Sequence, residues 1–221
     1  MAYQVEYATE QDASELGIIN NDSFRERGMF PAVFPGSSDA SIRAYKAKNV
    51  PKHLADPKTH VLKVTDPASG AIVGYGRWHI PTELGITPHV PELSEQGQVY
   101  AKDPVVFAPQ PMNMRAWTAF KAMLEEGRKR HATERDMMLD LLATLPSYQG
   151  RGVGSAILRW GCEKADALQV RIYLEATPEG CPLYVKHGWK VVENVDFDMS
   201  QFGAHGVDDF YLMIRDPKPI S

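Results

Sequence analysis

Gly150, Gly152 and Gly154 stand between an apolar run, Met137 to Leu145, and the helical pattern Ile157-Leu158-Arg159-Trp160, with Pro146 closing the run. The first stretch reads as a buried strand and the second as a helix, so the glycines turn one into the other. Glycine adopts positive φ without steric cost, which lets successive N–H groups converge at a helix N-terminus. Unpaired donors and the positive end of the helix dipole favour an anion there. The chemistry is therefore the backbone holding of a phosphate-like group. Spacing narrows which one. A P-loop needs Lys and then Ser or Thr after its last glycine, but Ser155-Ala156 follows here. A dinucleotide fingerprint needs Gly-x-Gly-x-x-Gly, and Gly150-x-Gly152-x-x-Ser155 and Gly152-x-Gly154-x-x-Ile157 both lack the third glycine. Glu175, about twenty residues on, keeps a dinucleotide-binding oxidoreductase as an alternative. Gln-x-x-Gly-x-Gly is met without mismatch by Gln149, Gly152 and Gly154.

That last pattern resembles the acyl-CoA-binding motif of the GNAT superfamily of N-acyltransferases. Leu183-Tyr184-Val185-Lys186-His187-Gly188-Trp189 resembles the same family's Leu-Tyr-x-Lys-x-Gly-Phe signature, in the expected order. The resemblance runs from Met137 to Arg215, is thinner from Tyr3 to His79, and is absent from Ile80 to Met114. It implies acetyl-CoA as acyl donor and an amine as acceptor. The backbone of Gln149, Gly150, Arg151, Gly152, Val153, Gly154 and Ser155 would then face the pyrophosphate, and that of Leu142, Ala143 and Thr144 the pantetheine. A free N–H beside Pro146 could serve the thioester oxygen as charge builds. Many members carry an Asn between the strand and the tyrosine helix, where this chain has Thr177-Pro178-Glu179.

The implied reaction is direct attack of a neutral amine on the thioester, and each proton needs a residue. Family members place the departing thiolate beside the tyrosine matched by Tyr184, whose phenol can donate a proton. An amine arrives mostly as ammonium, with a lysine-like pKa of about 10.4, so a base must act before attack. Glu175, closing the strand Ile172-Tyr173-Leu174-Glu175, matches a catalytic glutamate in some members. Asp140, inside Met137-Met138-Leu139-Asp140-Leu141-Leu142, is a carboxylate costly to bury unless paired, and strict alternation puts it on the face of Leu142 and Thr144. His79 is a third candidate, because imidazole titrates in the useful range. With the turn kept and the chemistry lost, the same motifs would describe a catalytically silent acyl-CoA sensor. A longer acyl group or an oxygen acceptor is equally compatible with them.

Around these residues the pattern predicts an α/β fold with a mixed twisted sheet, a parallel strand-helix-strand core and flanking helices, and the resemblance implies a single GNAT-like domain over residues 1–221. Tyr3 to Tyr7 alternates as an edge strand, and Thr9 with Asp12 opens a helix through Leu16, Ile18 and Ile19. Arg27 to Gly36 reads as a loop whose Met29, Phe30, Val33 and Phe34 either pack under the domain or wall the acceptor site. Phe30, Phe34, Trp78 and His79 are the acceptor-side candidates, with core packing the plainer reading for Trp78. A helix from Ser38 to Leu54 precedes a hairpin of His60–Val64 and Ala71–His79. A proline-rich insertion at about 80–114 carries Pro81, Pro88, Pro91, Pro104, Pro109 and Pro111 and reads as irregular. Next come a helix from Arg115 to His131, the strand Met137 to Leu145 and a helix from Gly152 to Ala167. The strand Val170 to Glu175, a short helix near Cys181 to His187, and strands at Trp189–Val195 and Phe210–Ile214 complete the pattern.

Composition sets the outer bounds. A chain of 221 residues with 43% hydrophobic content can bury one good core, and a net charge of -4 gives no footprint for nucleic acid. Cys162 and Cys181 make no disulfide framework and no pair at metal-ligand spacing, so no metal is expected and a reducing, cytoplasmic setting fits. No secretion signal opens the chain, and no apolar run reaches the roughly twenty residues of a membrane span.

Overall fold

Strands β1 (Gln4–Tyr7), β2 (Thr59–Thr65), β3 (Ile72–His79), β4 (Met137–Thr144), β5 (Ile172–Ala176), β6 (Lys190–Asp198) and β7 (Val207–Arg215) form one sheet in the computed structural model, which describes residues 3–89 and 91–219. Their order is β1-β2-β3-β4-β5-β7-β6. Only β4 and β5 run parallel; every other neighbouring pair is antiparallel. The predicted parallel unit with antiparallel neighbours on both sides is present, and α6 (Val153–Leu168) is its crossover.

Helices cover both faces. Leu62, Trp78, Leu139, Ile172 and Leu174 meet Val153, Ile157 and Leu158 of α6 on one face. Gly161 of α6 has no Cβ because the Trp78 ring occupies that space. On the other face Val61, Tyr75 and Ala143 meet Leu16 and Ile19 of α1 (Ala13–Phe24) and Val50 and Leu54 of α3 (Asp39–Leu54). Further along that side, α5 (Met114–His131) sets Phe120 against Phe197 and Phe210. Among the described residues, no helix is long and apolar enough to cross a membrane.

Three local expectations change. The predicted loop Arg27–Gly36 contains a short helix, α2 (Met29–Val33), because Phe30, Val33 and Phe34 share a helical face and pack on Ile42, Tyr45 and Ala116. Within the predicted irregular insertion, α4 (Glu95–Lys102) forms where Ser94 accepts a hydrogen bond from the Gly97 amide. Glu10 receives both the amide and the hydroxyl of Ser94, tying this cap to the N-terminal segment. The third change is a bulge. Arg77 pairs with Leu141 but Trp78 with Leu139, so Asp140 is the extra residue of β4. Leu139 and Leu141 therefore face opposite sides of the sheet, and Asp140 does not share a face with Leu142.

Candidate active site

Pairing of β4 with β5 stops after Leu139–Leu174, so the segment from Asp140 to Thr144 leaves its neighbour and opens a cleft in the middle of the sheet. Three elements close one end of it. A Cβ on Gly154 would lie 2.9 Å from Leu183 and 3.3 Å from Leu142, which fixes Gly154 as the contact between α6, β4 and α7 (Cys181–Lys186). Gly150 and Gly152 serve differently. Their φ angles are +72° and +92°, and nothing lies within 4 Å of where a Cβ would sit. Their positions are demanded by backbone conformation, and the space over them is open.

Around the turn, Gln149, Gly150, Arg151 and Gly152 are exposed while Val153 is buried in the core against Gly74. The Gln149 amide reaches back 3.4 Å to the Thr144 carbonyl, which also accepts the Ser23 hydroxyl at 3.0 Å. That carbonyl is thus engaged within the chain, while Leu142 packs on the α6 side of β4 and Ala143 is buried on the α1 side. Arg151 lies over the Tyr148 ring, 5.2 Å from its centroid. Ser155 Oγ pairs with His187 Nε2 at 3.0 Å, and burial together with Arg159, Lys186, Arg215 and Lys218 holds that imidazole below its ordinary range. This positive surrounding went unread in the sequence, because its members are spread over α6, α7 and the C-terminal strand.

Asp140 and Glu175 meet at the opening of the strands, on the α5 side. Arg128 of α5 donates Nε–H to Glu175 Oε1 at 2.8 Å and Nη2–H to Oε2 at 3.1 Å, and its Nη2 also lies 3.2 Å from Asp140 Oδ1. Glu175 is almost fully enclosed, with 6% of its side chain exposed, and burial raises its carboxyl despite Arg128. Asp140 is more open at 17%, its Oδ1 has no hydrogen-bond partner, and Arg77 Nε stands 3.8 Å from its other oxygen. Arg77 in turn meets His53 Nε2 at 2.8 Å. Tyr173 carries a buried hydroxyl without a hydrogen-bond partner beside this group, and burial pushes it up. Arg128, Arg77 and His53 were absent from the sequence reading. No local signal marks them, since each partner is remote in the chain.

Tyr184 lies on the opposite face, packed in the α6-side core with its ring 5.9 Å from that of Trp189. Its hydroxyl makes no hydrogen bond among the described residues, and burial pushes its pKa up, so the phenol keeps its proton. The cleft therefore separates a protonated phenol on one side from a carboxylate on the other.

The remaining predicted residues sit elsewhere. Trp78 is fully buried in the core, as its plainer reading had it. Phe30 and Phe34 are 5% and 3% exposed and pack on Ile42 and Tyr45, with the Lys46 ammonium over their rings. His79 is half-buried at the end of β3, opposite Met138, beyond the bulge from Asp140.

The Arg128–Glu175 pair makes a stability prediction. Arg128→Met leaves a buried carboxylate without its partner and should cost about 2 kcal/mol near pH 7, below the usual cost of breaking a buried pair because Arg128 is one-third exposed. Glu175 then has a folded pKa raised further above its unfolded value. The penalty should be absent below about pH 4.5, where both states are protonated, and grow as pH rises. Urea melts of both proteins across this range check it; an equal loss at every pH would contradict it.

The site thus joins a splayed parallel pair and an open glycine turn, with a phenol on one side of the sheet and two carboxylates on the other. Residues 119–191 match the model of the acetyltransferase (GNAT) domain. An acetyltransferase of Stachybotrys chartarum is 24% identical over 191 residues, covering 84% of this chain and 79% of that protein. The structure is similar to that of histone acetyltransferase HPA2 and related acetyltransferase from Corynebacterium glutamicum, at TM-score 0.61 and 21% identity, covering 100% and 99% of the two chains. An acetyltransferase from Thermus thermophilus superposes at TM-score 0.55 and 13% identity over 98% and 97% of the chains. The match over residues 119–191, the acetyltransferase relative and the shared fold together support a GNAT acyltransferase.

Proposed function

We propose that this enzyme transfers an acetyl group from acetyl-CoA to a primary amine of a small molecule or peptide. The observation that carries the reading is the opening of β4 from β5 after Leu139–Leu174, with the open, left-handed Gly150–Gly152 turn at its end. Those glycines fit a pyrophosphate, since their missing Cβ atoms leave the space it needs and the amides of α6 begin there. The exposed Arg159 and Lys186 beside His187 suit the same polyanion, whereas Arg215 is held by Asp166. Acetyl-CoA, when bound, supplies an activated carbonyl and a thiolate leaving group.

The chain's own residues then divide the work. Backbone groups of Leu142 and Ala143 hold and orient the donor along the unpaired side of β4. Tyr184 holds a proton for the departing sulfur. Asp140 takes the proton of the acceptor ammonium, and Glu175 stands behind it, because both oxygens of Glu175 are hydrogen-bonded by Arg128 whereas the more exposed Asp140 meets Arg128 and Arg77 only as ion pairs. This reverses the order suggested by the family match of Glu175. Thiol release from acetyl-CoA across a panel of polyamines, aryl amines, amino acids, aminosugars and lysine peptides tests the function: release must depend on an amine. Binding of NADH without binding of CoA would sink the reading.

The base assignment has its own test. Asp140→Asn should lower the rate most at low pH, where free amine is scarce, and raised pH should restore part of it. Glu175→Gln should move the rate less. A wild-type pH–rate profile in Asp140→Asn would remove Asp140 from the proton path.

A further inference from the structure

On the Asp140 side of the sheet, the basic groups outnumber the acids that could pair with them. Lys46 of α3 lies with its ammonium 4.9 Å from the Phe30 ring centroid and 5.6 Å from that of Phe34. It makes no salt bridge among the described residues, and the acids on the neighbouring turns are already engaged: Asp22 by Arg43 and Asp39 by Arg25. Lys46 shares a helical face with His53, seven residues on, whose ring nitrogen meets Arg77. Arg77 reaches Asp140 only at 3.8 Å, and its buried Nε has no hydrogen-bond partner. Asp140 is already shared with Arg128. A desolvated cation without a counter-ion is costly, and so is a buried guanidinium nitrogen without an acceptor. Lys46 and Arg77 nevertheless both remain partly exposed.

From this we infer that Lys46 and Arg77 form an anion subsite for the acceptor, which is therefore an amine that also bears a carboxylate. The inference rests on the acetyl-transfer reading above and names its substrate class. The arrangement divides the acceptor between two poles: its ammonium end faces Asp140, and its carboxylate end faces Lys46, with the Arg77 guanidinium between them adding positive charge. The Phe30 and Phe34 rings hold the Lys46 stem and exclude water from one side of its head, which strengthens a charge pair there. Burial and the nearby Arg77 depress Lys46 to about 8, and an arriving carboxylate relieves both effects. The other groups facing the subsite are His53, which burial and the surrounding cations hold well below its usual range, and the ion-paired Arg128 and Glu175.

The test compares matched acceptors that differ in the acid: 4-aminobutanoate with butylamine, and alanine with alaninamide. With acetyl-CoA saturating, the acidic member should have the higher kcat/KM in at least one pair, roughly ten- to a hundredfold and mainly through KM, as for a charged hydrogen bond. Lys46→Met keeps the stem between the rings and should bring that ratio close to one; Lys46→Arg should retain most of it. Acid-free members equal or better in every pair, or a preference that survives Lys46→Met in a folded protein, would overturn the inference. A second readout needs no turnover. The Lys46 side-chain NMR signal should titrate upward when 4-acetamidobutanoate, the product of the first acid, is added. A signal unmoved by that carboxylate overturns the subsite even if amine acetylation stands, whereas absence of thiol release with every amine overturns the parent reading instead.

Discussion

Tyr184→Phe should lower kcat by roughly 10²–10⁴, the usual loss on removing a general acid, with little change in acetyl-CoA affinity. The substitution removes one oxygen from a side chain whose ring packs on Trp189 and whose hydroxyl has no hydrogen bond to lose among the described residues. Stability should therefore hardly move, which separates this variant from one that simply unfolds. Burial keeps the phenol protonated through the whole working pH range, so wild-type activity should show no alkaline limb from its ionisation below pH 10. The defect should shrink with acyl donors whose thiol has a lower pKa, because such a thiolate departs without needing the proton. Single-turnover rates for wild type and variant, measured where chemistry limits the rate, check all three points. Near-normal turnover of acetyl-CoA by the Phe variant would reduce Tyr184 to a packing residue.

The strand-turn-helix at 137–168 was legible because its signals are local: an apolar run, a proline, glycines at fixed offsets and a helical period. Its boundaries shifted by only a residue or so, and the parallel β4–β5 pair followed from them. Other features gave weaker signals. Pro31 inside α2, and Gly28, Pro35 and Gly36 around it, read as loop chemistry, although Phe30, Val33 and Phe34 carry a helical spacing. The bulge at Asp140 left no trace, because β4 is apolar on both faces and alternation cannot reveal a slipped register. That slip moved Asp140 onto the Arg128 face. Arg128 is 47 residues from Glu175, so the ion pair that decides between the two carboxylates is a product of tertiary packing alone. Lys46 and Arg77 were missed for the same reason: α3 and β3 meet only in the folded chain.

The second large effect concerns the turn. Gly152 has φ +92°, where a β-branched residue is strained by about 1–3 kcal/mol, and it is the residue that caps α6. Nothing blocks a side chain sterically, so Gly152→Val should fold, with the turn either strained or rearranged and its open face filled. The amides at the start of α6 would no longer converge, and affinity for acetyl-CoA should fall by roughly ten- to a hundredfold or more. A Gly154→Ala variant should behave otherwise, losing stability through its contacts with Leu183 and Leu142. Calorimetric titration of acetyl-CoA into wild-type protein and into Gly152→Val, each shown to be folded by near-ultraviolet circular dichroism, is the most direct test of a donor held by this turn. Saturable binding by the wild type and its sharp loss in the variant are the predicted result; equal affinity in two folded proteins would contradict the account.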